Sequence, residues 1–199
     1  MHKIVQLAGN NEIHCMKHKE LLTFFENADV RIAGLIAGIG ELHPYHEQDL
    51  FEAMISSLIS QQLSTKASAT IFSRFKQHFN GILDPGILLN TSLEEMRTLG
   101  ISRQTCTYIH DVSKHFLEKP EMFEQLEELD DEEIISNLIA IKGVGRWTAE
   151  MLLMFTLQRS DVFPVDDLGI QQSMISLYQL DSKPAKSELI QLSKAWIPQ

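Results

Sequence analysis

Cysteine is scarce: Cys15 and Cys106 are the two in 199 residues. So few thiols exclude a disulfide framework and a four-thiolate iron–sulfur cluster, and they fit a reducing compartment in which both stay unpaired. Long apolar runs are missing too. No stretch reaches the length of a membrane span, and the start Met1-His2-Lys3-Ile4-Val5 lacks the apolar core of a signal peptide. A cytoplasmic protein that makes no membrane contact is therefore the expectation. Strand signals are nearly absent, and no internal repeat, low-complexity tract or flexible linker interrupts the chain. What is present is apolar residues at helical spacing, 44% of the whole against 22% charged, in a chain long enough to bury a core without staples. An all-α protein is predicted.

Positive charge is also in short supply. The formal net charge of −10 argues, as a whole-chain property, against nucleic-acid binding, because phosphate contacts need a basic surface. Its distribution reverses that argument. Nine acids and one base, Lys119, lie between Glu118 and Glu133, so this one stretch carries most of the excess. It reads as a solvated helix face and connector. Elsewhere Lys142 and Arg146 flank a Gly-x-Gly turn, and Lys66, Arg74, Lys76 and Arg103 supply further cations. The affinity for a nucleic acid that such a surface allows is modest and salt-sensitive.

One apolar stripe runs through Leu50, Phe51, Met54, Ile55, Leu58 and Ile59, and a second through Ile71, Phe72, Phe75 and Phe79. Gln61-Gln62-Leu63-Ser64-Thr65 separates them, with Ser64 or Thr65 as the cap of the second helix and Asn80-Gly81 as its stop. Short helices are expected around Leu93 to Leu99 and Thr105 to Leu117, the latter ended by Pro120. Asp130 or Asp131 caps a helix that leads into Gly143-Val144-Gly145, and Arg146 to Gln158 forms the next. Gly34, Gly38 and Gly40 lie in an apolar helical segment with no strand before it, which speaks against a nucleotide-binding loop. His43-Pro44-Tyr45-His46 has no carboxylate or thiolate cluster beside it, so it reads as a surface loop and not a metal site.

The most informative residues are 138 to 149, Leu138-Ile139-Ala140-Ile141-Lys142-Gly143-Val144-Gly145-Arg146-Trp147-Thr148-Ala149. Glycines on either side of one apolar residue let the backbone turn through positive φ and present N–H groups at a helix start, an arrangement that grips phosphate. Twenty residues after Trp147 stands Asp167, in the run Phe163-Pro164-Val165-Asp166-Asp167-Leu168-Gly169-Ile170.

Together these segments resemble the helix-hairpin-helix superfamily of DNA glycosylases, and within it the 3-methyladenine DNA glycosylase II, or alkylpurine, branch. Further marks are Asp29-x-Arg31 with Leu35-Ile36 and Gly40, Leu58-Ile59-Ser60-Gln61-Gln62-Leu63-Ser64, Leu99-Gly100-Ile101-Ser102 with Tyr108-Ile109, and Trp196-Ile197-Pro198. The resemblance implies two helical subdomains with the active site in the cleft between them. One would comprise residues 1–48 with 165–199, the other residues 49–164 with the helix-hairpin-helix at 131–158.

The implied activity is hydrolysis of the N-glycosidic bond of alkylated bases in double-stranded DNA during base excision repair, by a monomer that needs no cofactor. Asp167 would be catalytic. Asp167-Leu168-Gly169-Ile170 matches an Asp-x-x-Ile helix opening whose apolar fourth residue packs into the core, whereas Asp166 falls out of frame and is expected merely to cap the helix. Trp147 stands where bifunctional relatives carry a catalytic Lys, so no Schiff base forms from this position. Its indole serves either stacking on an electron-poor alkylated purine or packing of the second hairpin helix. Met151, one turn on, would line the base pocket. Gln62 would be the wedge that fills the gap left by a flipped base, against the alternative of a solvated turn. Lys142, Gly143, Val144, Gly145, Arg146 and Thr148 would hold the DNA backbone, and the carbonyls of Ile139, Ile141 and Val144 could hold a monovalent cation. Two other readings compete with the enzyme: a catalytically impaired helix-hairpin-helix DNA-binding protein, and an interaction protein acting through the acidic stretch.

Overall fold

Helix starts follow the side chains available to cap them. In the computed structural model, which describes residues 18–41, 49–61, 63–180 and 184–197, Asp or Ser accepts a first-turn backbone N–H at most helix N-termini. The α-helices among the described residues are α1 His18–Ala28, α2 Val30–Ile39, α3 Leu50–Ser60, α4 Thr65–His78, α5 Pro85–Asn90, α6 Leu93–Thr98, α7 Arg103–Glu118, α8 Pro120–Glu124, α9 Asp131–Ile139, α10 Arg146–Phe155, α11 Leu168–Tyr178 and α12 Lys186–Ser193. Short 3-10 turns follow α8 and α12, and no strand occurs among the described residues. The helical reading of the periodicity is the observed fold.

Details depart from expectation where two signals overlap. Pro120 does end α7, but by opening α8 at its first turn, where a missing N–H costs nothing. α10 is shorter than expected, stopping at Phe155. Gly40 closes α2 at φ +84, as a C-terminal glycine does. Cys15 and His43 to His46 lie outside the described residues.

The described chain falls into two compact units. In that of residues 49–157, α7 is central and packs on α3, α5, α6 and α8, while α10 packs on α9 and α3. Its core is Met54, Ile55 and Leu58 from α3, Phe75, Leu88, Met96, Ile109, Leu138 and Leu153, all buried. Met54, Ile55, Leu58 and Phe75 come from the two stripes seen at helical spacing, whereas Ile71, Phe72 and Phe79 of the second stripe are half-buried, and full burial of each such side chain contributes about 1.5–3 kcal/mol.

The other unit takes in residues 18–41 and 158–197. Here Asp29 does three jobs. Its Oδ1 caps α2 through the Arg31 N–H at 3.0 Å, and its Oδ2 accepts from the Tyr178 hydroxyl at the end of α11 and from Trp196 Nε1 at 3.1 Å. Arg31 lies 5.1 Å from the centre of the Tyr178 ring, and Phe163 meets Trp196 edge-on. Burial works to raise the Asp29 carboxyl, but donation from Tyr178, Trp196 and the two amides outweighs it and holds the group below the usual carboxylate range. Burial and the Asp29 contact together push the Tyr178 hydroxyl up.

A depressed folded-state pKa means stability that is present above the unfolded pKa and lost as pH falls through the folded one. Asp29→Ala is expected to cost about 1–2 kcal/mol near neutrality, one cap plus partly exposed hydrogen bonds. The gap from the natural protein should narrow in acid. Denaturant melts across pH measure both, and a gap that stays constant to strongly acid pH would exclude the ionised carboxylate as the cause.

Candidate functional site

The hairpin is built from its caps inward. Asp130 and Glu133 form a reciprocal capping box that starts α9, with Asp130 Oδ1 accepting the Glu133 N–H at 2.8 Å and Glu133 Oε2 accepting the Asp130 N–H at 3.1 Å. After α9 the chain turns through Ala140 to Gly145 and enters α10. Gly143 has φ +88, and a Cβ there would lie 2.4 Å from Cδ2 and 2.5 Å from Cγ of Tyr108 on α7. Both the backbone conformation and the Tyr108 ring therefore require glycine.

Gly145 differs from expectation. Its φ of −93 and ψ of 169 are extended, and nothing lies within 4 Å of a Cβ built on it. As the N-cap of α10 it supplies no side-chain acceptor, and the start of a helix is where the backbone dipoles favour an anion.

The residues expected around that anion are placed as follows. Lys142 is exposed, and its backbone N–H donates to Asp111 Oδ2 at 2.8 Å. Val144 and Thr148 have buried side chains, which keeps both from a phosphate, and the Val144 N–H is spent within the turn on the Ile141 carbonyl. The Arg146 guanidinium is held within the protein: Nη1 donates to Glu132 Oε2 at 3.0 Å, Nη2 to Glu132 Oε1, and Nε to buried Glu150 at 3.0 Å. Arg146 holds the Glu132 carboxyl below its usual range, and Glu132 in turn holds the guanidinium charged. A phosphate at Arg146 would have to compete with Glu132. The acidic stretch is thus more than a solvated face, because Asp130, Glu132 and Glu133 organise the hairpin.

Trp147 is 40% exposed at the start of α10, and Met151 one turn later is half-buried. An indole of that exposure is not a sealed core side chain. Gln62 lies outside the described residues, while its neighbour Gln61 donates from Nε2 to the Gly143 carbonyl at 2.9 Å. Of the three carbonyls considered for a cation, that of Ile141 accepts the Val144 N–H at 3.1 Å. Neutral peptide oxygens of this kind suit a weakly held monovalent ion.

In the other unit Asp167, not Asp166, caps α11: its Oδ1 accepts the Ile170 N–H at 2.8 Å. Asp166 instead pairs with Lys186. The frame argument also needs correction, since Ile170 is 36% exposed and the inward residues of α11 are Gln171 and Met174. What fixes the fourth position of Asp-x-x-Ile is its backbone N–H, which the carboxylate receives. Gln171 was not anticipated. From a buried site it donates to the Val165 carbonyl at 2.7 Å and holds the strap ahead of Asp167, which itself turns back through its N–H to the Pro164 carbonyl at 2.9 Å.

With this geometry in place, the family model described as HhH-GPD superfamily base excision DNA repair protein matches residues 55–199. The chain belongs to the HhH-GPD superfamily. Among superfamily relatives, it is 32% identical over 194 residues to DNA-3-methyladenine glycosylase 1 of Schizosaccharomyces pombe, covering 90% of this chain and 85% of that protein. The solved structure of S. pombe 3-methyladenine DNA glycosylase (Mag1) in complex with abasic DNA superposes with a TM-score of 0.79, covering 89% of each chain. That of DNA-3-methyladenine glycosidase from Bacillus halodurans has a TM-score of 0.77 at 36% identity, covering 88% of this chain and 81% of the other.

Proposed function

We propose that this HhH-GPD protein is a monofunctional DNA glycosylase, which hydrolyses the N-glycosidic bond of alkylated bases of the 3-methyladenine type in double-stranded DNA during base excision repair. The observation that carries the reading is Asp167 as the N-cap of α11 in a chain whose hairpin presents an uncapped helix start at Gly145. The relatives named above support the substrate class, since their names specify 3-methyladenine.

The chemistry follows from charge. Alkylation leaves the base cationic, so when the bond to C1′ breaks, the electron pair neutralises the departing base and positive charge passes to the sugar. An anion beside C1′ stabilises that oxocarbenium-like state. Asp167 supplies the anion, and water adds to C1′ with loss of its proton. Duplex DNA hides this bond, so the nucleotide is flipped, with Trp147 and Met151 receiving the electron-poor base and Gln62 filling the gap. The hairpin turn at Gly143 to Gly145, the start of α10 and the Lys142 side chain hold the phosphate. A monovalent cation at the Ile139, Ile141 and Val144 carbonyls would add positive charge beneath it.

Base release from duplexes that each carry one lesion tests the reading, with 3-methyladenine, 7-methylguanine, ethenoadenine and hypoxanthine as the set. With Trp147 at the position of the Lys, the product is expected to be an intact abasic strand, cut only by alkali or heat, and borohydride should trap no protein on DNA. Nicking by homogeneous protein, or efficient trapping, would refute the monofunctional assignment.

A further inference from the structure

Two polar side chains from outside the hairpin grip its turn. Asp111 on α7 accepts the Lys142 N–H at 2.8 Å, and Gln61 at the end of α3 donates to the Gly143 carbonyl at 2.9 Å, bridging 82 positions of sequence. Gln61 is half-buried, so water competes weakly for that bond. The acceptor is fixed in place, because the Tyr108 ring fills the space where a Gly143 side chain would be. Gln61 also sits within a turn closed by the Leu63 N–H on the Ser60 carbonyl at 3.1 Å, which opens the connection from α3 to α4.

A single neutral hydrogen bond adds little to a fold whose core holds Met54, Ile55, Leu58 and Phe75. What it does is set one loop against another. Its chemistry is directional as well: an amide nitrogen must face the Gly143 oxygen, and a carboxylate in its place would face that oxygen with like polarity.

We propose that Gln61 is a positioning residue that fixes the α3–α4 loop on the hairpin, so that gripping a phosphate and entering the base stack become one geometrical event. This rests on the reading above of the hairpin as the phosphate grip and of the loop as the wedge. Without the Gln61 bond the hairpin still anchors DNA, while the loop samples positions outside the stack.

The test uses the full chain and a duplex with a stable abasic analogue flanked by 2-aminopurine, whose fluorescence reports a side chain entering the stack. Gln61→Met keeps length and flexibility but lacks the donor. At saturating protein the ratio of inserted to uninserted complex is expected to fall about fivefold, the equivalent of one neutral hydrogen bond. Thermal melting should stay near that of the natural protein, and the affinity read by anisotropy should fall by no more than the same factor, because insertion is linked to binding. Gln61→Glu should lose the signal at neutral pH and regain it as its carboxyl becomes protonated, a recovery that a general structural defect would not show. An unchanged signal in Gln61→Met, or a loss matched by equal loss of binding and of stability, would overturn the proposal alone. If the natural protein binds this duplex with no fluorescence change, the wedge reading falls and the proposal with it.

Discussion

Asp167→Asn is expected to lower base excision by on the order of a hundredfold or more while the fold and DNA binding survive, the usual cost of deleting one electrostatic contact to a transition state. The cap makes this substitution unusually clean. Asp167 Oδ1 accepts the Ile170 N–H at 2.8 Å, and the carboxamide oxygen of Asn can accept the same bond, so α11 keeps its start while the anion is lost. Asp167→Ala removes both, and should add a stability loss of about 1 kcal/mol to the same defect in rate. Asp166→Asn breaks an exposed pair with Lys186 and should cost no more than about 1 kcal/mol, with turnover largely kept. Single-turnover rates at saturating enzyme separate chemistry from product release, and melts separate both from unfolding. Should Asp166→Asn abolish excision while Asp167→Asn retains it, the assignment of the two carboxylates is inverted; should neither change the rate, the glycosidic mechanism itself is wrong.

The same pair shows what the sequence could and could not tell. Ser64, Ser102 and Asp130 are legible as caps because a side-chain oxygen three residues before a backbone N–H is a local relation, and the stripes through Met54 and Phe75 are legible because helical period is local too. Two adjacent aspartates defeat that reasoning, since either can cap and only the backbone angles decide. The expectation that Ile170 anchors the frame by burial failed for a related reason: the inward face of α11 is set by what lies around it, not by its own pattern, and it buries Gln171. Arg146 with Glu150 is an i, i+4 pair visible in sequence, whereas Arg146 with Glu132 and Gln61 with Gly143 are contacts between separate elements that spacing does not encode. Tyr108 belonged to a recognised motif, yet its contact with Gly143 emerges only when α7 is laid against the hairpin.

That contact separates two glycines which read alike in the sequence. Gly143→Ala places a Cβ at φ +88, a strain of about 1–2 kcal/mol for an L residue, and drives it to 2.4 Å from the Tyr108 ring, where overpacking typically adds about 1–3 kcal/mol. The ring cannot yield cheaply, since Tyr108 is half-buried and its hydroxyl accepts from Gln104. A loss of about 2–5 kcal/mol, or a displaced hairpin that binds DNA at least about tenfold more weakly, is therefore expected. Gly145→Ala meets no atom within 4 Å at φ −93, and its stability should stay within about 0.5 kcal/mol of the natural protein. Adding Tyr108→Ala to Gly143→Ala relieves the steric part and leaves the φ strain, so the two changes should couple instead of adding. Gly145→Asp then isolates function from fold: the side chain has room, but its charge sits at the start of α10 where a phosphate would lie, and binding should weaken for damaged and undamaged duplex alike because phosphate contacts carry no sequence information. Melts and anisotropy over a salt series measure these effects. A Gly143→Ala protein as stable as the natural one would contradict the turn geometry, and a Gly145→Asp protein with unaltered affinity at every salt concentration would remove the hairpin as the principal DNA anchor.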